Sequence, residues 1–175
     1  RGGVRSYFFD GGLEPENKSN NPELQQLPSI KHFLESMPGT IGRAALLSLE
    51  GNAVISIHRD SDRHGYFKNT LRFHAPLITY DEVRFFNEGK FYQMRAGEVW
   101  VINNLGRHGV INDHSDRRLH LVFDVFINDE LVKYVFQGDK SLGQPASELP
   151  ELLSRLRYSS RQRATQETLQ TDTDS

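Results

Sequence analysis

Short runs of apolar residues fill the middle of the chain and predict β-strands. From residue 41 to about residue 136 these runs are rich in Val, Ile, Leu and Phe, and turn sequences such as Glu50-Gly51-Asn52 and Asn87-Glu88-Gly89 separate them. The predicted strands cover residues 46–49, 53–57, 71–78, 83–86, 91–94, 99–102, 109–111, 119–127 and 131–136. Because no helical pattern lies between them, an antiparallel sandwich or barrel is expected.

Two segments outside the predicted strands have the helical period instead. In the first, apolar residues recur every three or four positions and predict a helix over about residues 24–37, namely Leu27, Ile30, Phe33, Leu34 and Met37. In the second, near residues 148–158, one apolar stripe contains Leu149, Leu152, Leu153 and Leu156. The aromatic residues at 7–9 indicate a loop or a short edge strand. The segment 159–175 has almost nothing to bury and is expected to be disordered.

The composition is that of a globular protein and excludes several classes of site. A chain of 175 residues is long enough for one domain, which we place at residues 1–158 with its core at about 41–136. The absence of cysteine excludes structural disulfides, thiolate zinc sites and Fe–S clusters. A net charge of −2, without a long apolar run or a visible signal peptide, gives no reason to expect a nucleic-acid or membrane partner, and a cytoplasmic location is expected. The sequence begins at Arg1 rather than Met, which leaves open that it is a piece of a longer protein.

Four residues carry the pattern that points to chemistry. His58 and Asp60 are separated by one residue, His108 follows about fifty residues later, and Arg118 lies ten residues after His108. Two imidazoles and one carboxylate are the ligand set of non-haem Fe(II) oxygenases, which leaves positions open for a co-substrate and O2. An arginine suits a bidentate grip on a dicarboxylate such as 2-oxoglutarate. The spacing therefore predicts an oxygenase that hydroxylates an unactivated C–H bond.

Strand alternation predicts how the metal ligands are presented. In an extended strand, residues two apart share a face, so Ser56, His58 and Asp60 should face one side and the isoleucines at 55 and 57 the other. Asp62 is a rival carboxylate, but it would need a turn to come back to the same ion. His108 follows a polar turn and begins an apolar run, so it too should lie at the end of a strand.

The same alternation predicts a cationic interior surface. Arg72 and His74 share a face of one strand, and Arg118, His120 and Asp124 share a face of another, while the alternate positions on both strands are apolar. Burying either arginine without a partner would cost several kcal/mol, which an anionic ligand would offset. Two arginines facing the interior imply a doubly acidic guest. For His120, a place in this lining and a satisfied core histidine remain equally open.

Four stretches resemble the aspartyl/asparaginyl β-hydroxylase family in their order along the chain: residues 71–78 (LRFHAPLI), 97–104 (GEVWVINN), 108–112 (HGVIN) and 118–124 (RLHLVFD). The resemblance implies a mainly β, double-stranded β-helix (jelly-roll, cupin-like) fold with one or two flanking helices. It also implies an Fe(II)- and 2-oxoglutarate-dependent dioxygenase that uses O2. On this resemblance His58 and His108 ligate iron, Arg118 binds the 2-oxoglutarate carboxylate, and Arg72 and His74 lie at the co-substrate pocket.

One position departs from the animal members of that family, which lack the metal carboxylate. Asp60 makes the chain more similar to bacterial members with an HxD motif. Because of this departure, peptidyl aspartate is not the default substrate, and three substrate classes stay open: a free amino acid, a residue in a peptide or a tailoring intermediate. Two other functions remain open: a cupin-like metal-binding protein without 2-oxoglutarate chemistry, and a catalytically inactive interaction domain.

Overall fold

The computed structural model describes residues 4–8, 22–62 and 64–157 of the 175-residue chain. The strands in these residues are β1 (Val4–Phe8), β2 (Ile41–Leu49), β3 (Ala53–His58), β4 (Thr70–Ile78), β5 (Val83–Asn87), β6 (Lys90–Tyr92), β7 (Trp100–Ile102), β8 (His108–Asn112), β9 (Arg118–Phe126) and β10 (Gln144–Pro145). The helices are α1 (Pro22–Gln25), α2 (Pro28–Glu35), α3 (Asp129–Phe136) and α4 (150–157), with 3₁₀ turns at Tyr66–Lys68 and Ala146–Glu148. None of these helices is long and apolar enough to cross a membrane.

The strands form two five-stranded antiparallel sheets. Sheet A has the order β1-β2-β9-β4-β7, and sheet B has the order β10-β6-β5-β8-β3. Most connections from β2 to β9 lead from one sheet to the other, so the chain winds round a common interior as a double-stranded β-helix. The predicted mainly β, jelly-roll, cupin-like fold is confirmed.

Apolar side chains occupy the interior and both outer faces. The outer face of sheet A is covered by α2 and α3, where Leu34, Phe73, Leu121, Phe123 and Leu131 are buried. Between the sheets the buried residues include Leu49, Val83, Phe85, Ile102 and Val110. On the outer face of sheet B, α4 covers a cluster that includes Phe86, Phe91, Ile111 and Leu156. The predicted leucine stripe of the C-terminal helix is therefore confirmed.

The segment 131–136, predicted as a strand, is the helix α3. Asn128 begins it in an extended conformation, and its side-chain oxygen accepts a hydrogen bond of 2.8 Å from the backbone N–H of Leu131. Asp129 and Glu130 then place two acidic groups in the first turn, where they interact favourably with the helix dipole. A local cap thus overrides the strand preference of the β-branched and aromatic residues that follow.

The N-terminal region also departs from its prediction in detail. The expected helix over residues 24–37 is divided into α1 and α2, because Pro28 has no N–H to donate within a helix and begins a new one instead. Of the two alternatives for the N-terminal aromatic segment, a loop or a short edge strand, the structure has the edge strand: β1 pairs with β2. The predicted disorder of 159–175 concerns residues outside the described ranges, and the single-domain boundary at residue 158 stays a prediction.

Candidate metal centre

Two histidines from neighbouring strands of sheet B face each other at one end of the sheet. His58 is the last residue of β3, His108 is the first residue of β8, and the two are partners in the antiparallel register. Their ring centroids lie 4.2 Å apart. Because the sheet holds both backbones, residues fifty positions apart in the sequence present their rings to the same point.

A bulge in β3 brings His58 into this pairing. Ile55 pairs with Val110, but the next pair is His58 with His108, so β3 advances by three residues while β8 advances by two. The alternation of side chains along β3 is therefore interrupted just before the end that presents His58.

Because of this bulge, the predicted alternation of side chains in this strand is wrong. Ile55 packs in the cluster between the sheets, whereas Ile57 packs in the cluster on the outer face of sheet B, so they do not share a face as predicted. Gly109 accommodates the bulged strand, because a Cβ there would lie only 2.8 Å from the carbonyl oxygen of Ile55. The extra residue returns His58 to the interior face.

Asp60 completes the group from the loop that follows β3. Its backbone N–H donates to the carbonyl of Asn104 at 3.0 Å, and its Oδ1 lies 3.8 Å from Nε2 of His58 and 3.7 Å from Nε2 of His108. One ligand atom from each of the three side chains lies within 4.8 Å of the others. Two metal–ligand bonds of about 2.1 Å can span roughly 4.2 Å, so both Asp60 distances suit a shared ion.

Backbone carbonyls orient both imidazoles. Nδ1 of His58 lies 2.8 Å from the carbonyl oxygen of Ser56, and Nδ1 of His108 lies 3.1 Å from that of Gly106. A carbonyl only accepts, so each Nδ1 carries the proton and each Nε2 offers a lone pair towards Asp60. The rings are thus held in the tautomer that a metal requires.

Burial keeps His108 neutral and leaves one side of the group open. The His108 side chain is 9% exposed, and this burial is the main cause that lowers its pKa. The side chains of Asp60 and His58 are 20% and 43% exposed. Solvent or a substrate therefore reaches the group from the side of His58.

The second oxygen of Asp60 is held by two donors. Arg72 Nη1 donates to Oδ2 at 2.5 Å, and the amide nitrogen of Asn104 donates to the same atom at 3.2 Å. Arg72 also donates two hydrogen bonds, of 2.8 and 2.9 Å, to the fully buried carboxylate of Asp124. Asp62, the rival carboxylate, instead accepts from the backbone N–H of Phe67.

This network corrects the expectation that two unpaired arginines imply a doubly acidic guest. Burial opposes the charge of Arg72, but its hydrogen bond to Asp124 and the negative charges of Asp124 and Asp60 outweigh burial and raise its pKa. The charge of Arg72 is already balanced by the protein. Of these two arginines, Arg118 is the one that still needs an anionic partner.

Arg118 is a buried guanidinium with unused donors. It is 2% exposed, and neither its Nε nor its Nη1 has a hydrogen-bond partner among the described residues. Burial lowers its pKa to about 10, so the group remains charged at neutral pH. His74 and His120 are buried beside it, with their Nδ1 atoms 3.5 Å apart.

Sheet A has the two chemically distinct faces that alternation predicted. Phe73 of β4 and Phe123 of β9 are register partners on the outer face and stack with centroids 5.3 Å apart. Arg72 and Asp124 are register partners on the opposite face. His120 and Arg118 precede Asp124 on β9 by four and six residues, on the same face, so Arg118 and the candidate metal-binding group share one interior.

Comparison with known proteins assigns the chain to a family. The sequence model of the aspartyl/asparaginyl beta-hydroxylase family matches residues 8–127, which is more than half of the chain. The chain belongs to this family. All the residues described above in the candidate metal-binding group and in the arginine network lie within the matched range.

Solved structures of low similarity are also found for this hydroxylase-family chain. A predicted oxalate decarboxylase from Thermotoga maritima is 15% identical over 57% of this chain and 73% of that one, with a TM-score of 0.39. A cupin domain from Schizosaccharomyces pombe is 10% identical over 57% and 66%, also with a TM-score of 0.39. A cupin 2 conserved barrel domain protein from Salinispora arenicola is 11% identical over 55% and 71%, with a TM-score of 0.35. No curated protein matches the chain. The fold assignment rests on the strand order itself.

The structure brings together the three residues that the sequence analysis chose as ligands, and their role as ligands stays a prediction. Sequence reasoning did not assign the supporting residues. The position of Asn104 in the polar turn before His108 is the only sequence feature that pointed to it. Asp124 was expected on the interior face, but no partner was predicted for it. The pairing of Asp124 with Arg72 joins positions 52 residues apart, so no local pattern could have found it.

Proposed function

We propose that this member of the family is an Fe(II)- and 2-oxoglutarate-dependent dioxygenase that hydroxylates an amino acid or an amino-acid residue in a peptide or tailoring intermediate. One observation carries the proposal: the group of His58, Asp60 and His108 opens onto the same interior as the buried guanidinium of Arg118, whose Nε and Nη1 have no partner among the described residues. A metal site alone would not require this arginine, and an arginine alone would not require the three ligands.

In this proposal the three side chains hold Fe(II) through Nε2 of His58, Nε2 of His108 and Oδ1 of Asp60. When bound, the metal and 2-oxoglutarate supply the O2-dependent oxidation that converts a C–H bond to C–OH, while 2-oxoglutarate becomes succinate and CO2. The donor set fits: both Nδ1 atoms are occupied by carbonyls, and Asp60 keeps one oxygen free because its other oxygen is bonded.

Arg118 binds the carboxylate of 2-oxoglutarate that is remote from the metal. A carboxylate would accept hydrogen bonds from its unused Nε and Nη1 and would balance a charge that burial otherwise destabilises. His74 lines the same pocket. Arg72, predicted at the co-substrate pocket, is here a positioning residue, because all three of its nitrogens donate to Asp60 or Asp124.

Anaerobic titration of the protein with Fe(II) and 2-oxoglutarate tests the proposal. Bidentate chelation of the keto acid by Fe(II) in such a site gives a visible charge-transfer band at about 500 nm. We expect this band for the wild-type protein and, with air admitted, succinate release that depends on one member of a panel of amino acids and short peptides. Iron binding without the band would instead favour a cupin-like protein that does not use 2-oxoglutarate. No iron binding would favour an inactive interaction domain.

Two matched pairs of variants sharpen the test. Asp60→Ala should lower the Fe(II) affinity by about tenfold or more, whereas Asp62→Ala removes a carboxylate two residues away that lies outside the group. Arg118→Leu should abolish the band at moderate 2-oxoglutarate concentration, whereas Arg117→Leu removes an exposed neighbouring charge. Equal effects within either pair would contradict the assignment of that residue.

A further inference from the structure

Unsatisfied polar atoms are concentrated at one place in the interior. Among the described residues, six buried side-chain N or O atoms have no hydrogen-bond partner, and three of them are Nε and Nη1 of Arg118 and Nε2 of His120. A buried polar atom without a partner costs free energy, so such a concentration indicates a polar ligand. The proposed function uses Arg118 but gives no role to His120.

His120 is placed to reach a ligand of Arg118. The two residues lie two positions apart on β9, on one face and about 7 Å apart along the strand. Their partners in β2 are Leu47 and Leu49, so the surroundings on that side are apolar and offer no competing acceptor. An anion between the two side chains could accept from both.

The protonation of His120 is constrained by His74. Burial is the largest cause that lowers the pKa of both imidazoles well below 6.5, and the charge of Arg118 lowers both further, so both rings are neutral. Their Nδ1 atoms lie 3.5 Å apart, at the long end of hydrogen bonding. Two neutral rings in this contact share one proton: one Nδ1 carries it and the other accepts. The ring that accepts at Nδ1 must carry its own proton at Nε2.

We propose that His120, with Arg118, forms a two-donor clamp for the remote carboxylate of 2-oxoglutarate, in which His120 donates from Nε2 and His74 fixes that tautomer by donating its Nδ1 proton to His120. This inference rests on the proposed function and deepens it. One guanidinium and two neutral imidazoles carry a single positive charge, which matches one carboxylate. Phosphate dianions would leave an unbalanced buried charge.

Two substitutions separate the two nitrogens of His120. The amide nitrogen of glutamine and Nε2 of histidine are both three bonds from Cβ, whereas the amide of asparagine matches Nδ1 at two bonds. His120→Gln therefore keeps a donor towards the carboxylate, and His120→Asn keeps only the partner of His74. Both variants remain polar and smaller than histidine, and their thermal unfolding temperatures report whether they fold.

The assay compares two keto acids by anaerobic titration of the Fe(II)-loaded protein at the charge-transfer band. The first is 2-oxoglutarate and the second is 2-oxopentanoate, which has a methyl group in place of the remote carboxylate. We expect His120→Asn to raise the Kd of 2-oxoglutarate by about 10- to 100-fold, the effect of losing a hydrogen bond to a charged group, and to leave the Kd of 2-oxopentanoate unchanged. His120→Gln should retain most of the affinity for 2-oxoglutarate.

Each other outcome overturns the inference in a recognisable way. If wild-type protein prefers 2-oxoglutarate and His120→Asn keeps that preference, His120 is not a donor to the carboxylate, while the proposed function stands. If His120→Asn weakens both keto acids equally, the residue has only a structural role. If wild-type protein binds Fe(II) but gives no band with either keto acid, the proposed function fails and this inference fails with it.

Discussion

Removing the guanidinium of Arg72 tests the buried ion network most directly. The Asp124 side chain is only 1% exposed, and Arg72 donates two hydrogen bonds to it, at 2.8 and 2.9 Å. Arg72→Met fills similar space but removes both of these bonds and the positive charge that balances the buried carboxylate, which costs about 3–5 kcal/mol. Typical domains unfold with about 5–15 kcal/mol, so the variant should be severely destabilised.

The chain contains a matched control on its surface. Arg155 makes the same two-pronged contact with Asp113, at 2.7 and 2.5 Å, but the two side chains are 44% and 35% exposed. Exposed ion pairs contribute about 0–1 kcal/mol, because water solvates either charge when its partner is removed. Arg155→Met should therefore lower the free energy of unfolding by no more than about 1 kcal/mol.

Urea unfolding of the metal-free protein measures both variants, and constant m-values would establish that the free energies are comparable. The double variant Arg72→Met/Asp124→Leu should regain most of the loss, since replacing a buried pair by apolar residues is often neutral. The reasoning would be refuted if Arg72→Met cost no more than Arg155→Met. It would also be refuted if the double variant were less stable than Arg72→Met alone.

Two further predictions concern pH and a helix cap. Burial lowers the pKa of His74 and His120 well below 6.5, so below that pH the unfolded chain binds protons that the folded chain does not. The free energy of unfolding should stay constant above pH 6.5. As the pH drops below 6.5 it should decrease, by up to about 2.7 kcal/mol per pH unit for two rings. Urea unfolding measures this, and an unchanged free energy between pH 7.5 and 5.5 would contradict it. Asn128→Ala should lower the free energy of unfolding by about 1 kcal/mol, because it removes the cap of α3, whereas Asn128→Asp keeps a side-chain acceptor. Equal losses of unfolding free energy in the two variants, measured in urea, would contradict the role of the cap.

Alternation along β4 and β9 was predictable because it depends only on neighbours in the sequence. Extended backbone places successive side chains on opposite faces, so the apolar set containing Phe73 and Phe123 had to lie opposite the polar set containing Arg72 and Asp124. The composition of each set then assigned the polar face to the interior site. The helix α4 followed from the same kind of local regularity.

The same rule failed in β3 because the bulge depends on another strand. Residues 53–58 alone do not specify that Ile55 and His58 will face the same side. That depends on β8, where Gly109 leaves space for the displaced backbone. For α3, by contrast, the missed signal was local: Asn128 with two acidic residues after it describes a helix start.

The amino-acid sequence by itself determined the periodicity of β4 and β9, the chemical types of the candidate ligands and the face on which the polar groups of these two strands lie, because these follow from backbone geometry and short spacing. Only the tertiary structure decided which charges are balanced. Arg72 is bonded to Asp60 and Asp124, whereas Nε and Nη1 of Arg118 have no hydrogen-bond partner among the residues that the structure describes, although the two arginines look alike in sequence. The physical reason is that a buried charge is stabilised or left unpaired by atoms brought close through folding, and their distance along the chain carries no such information.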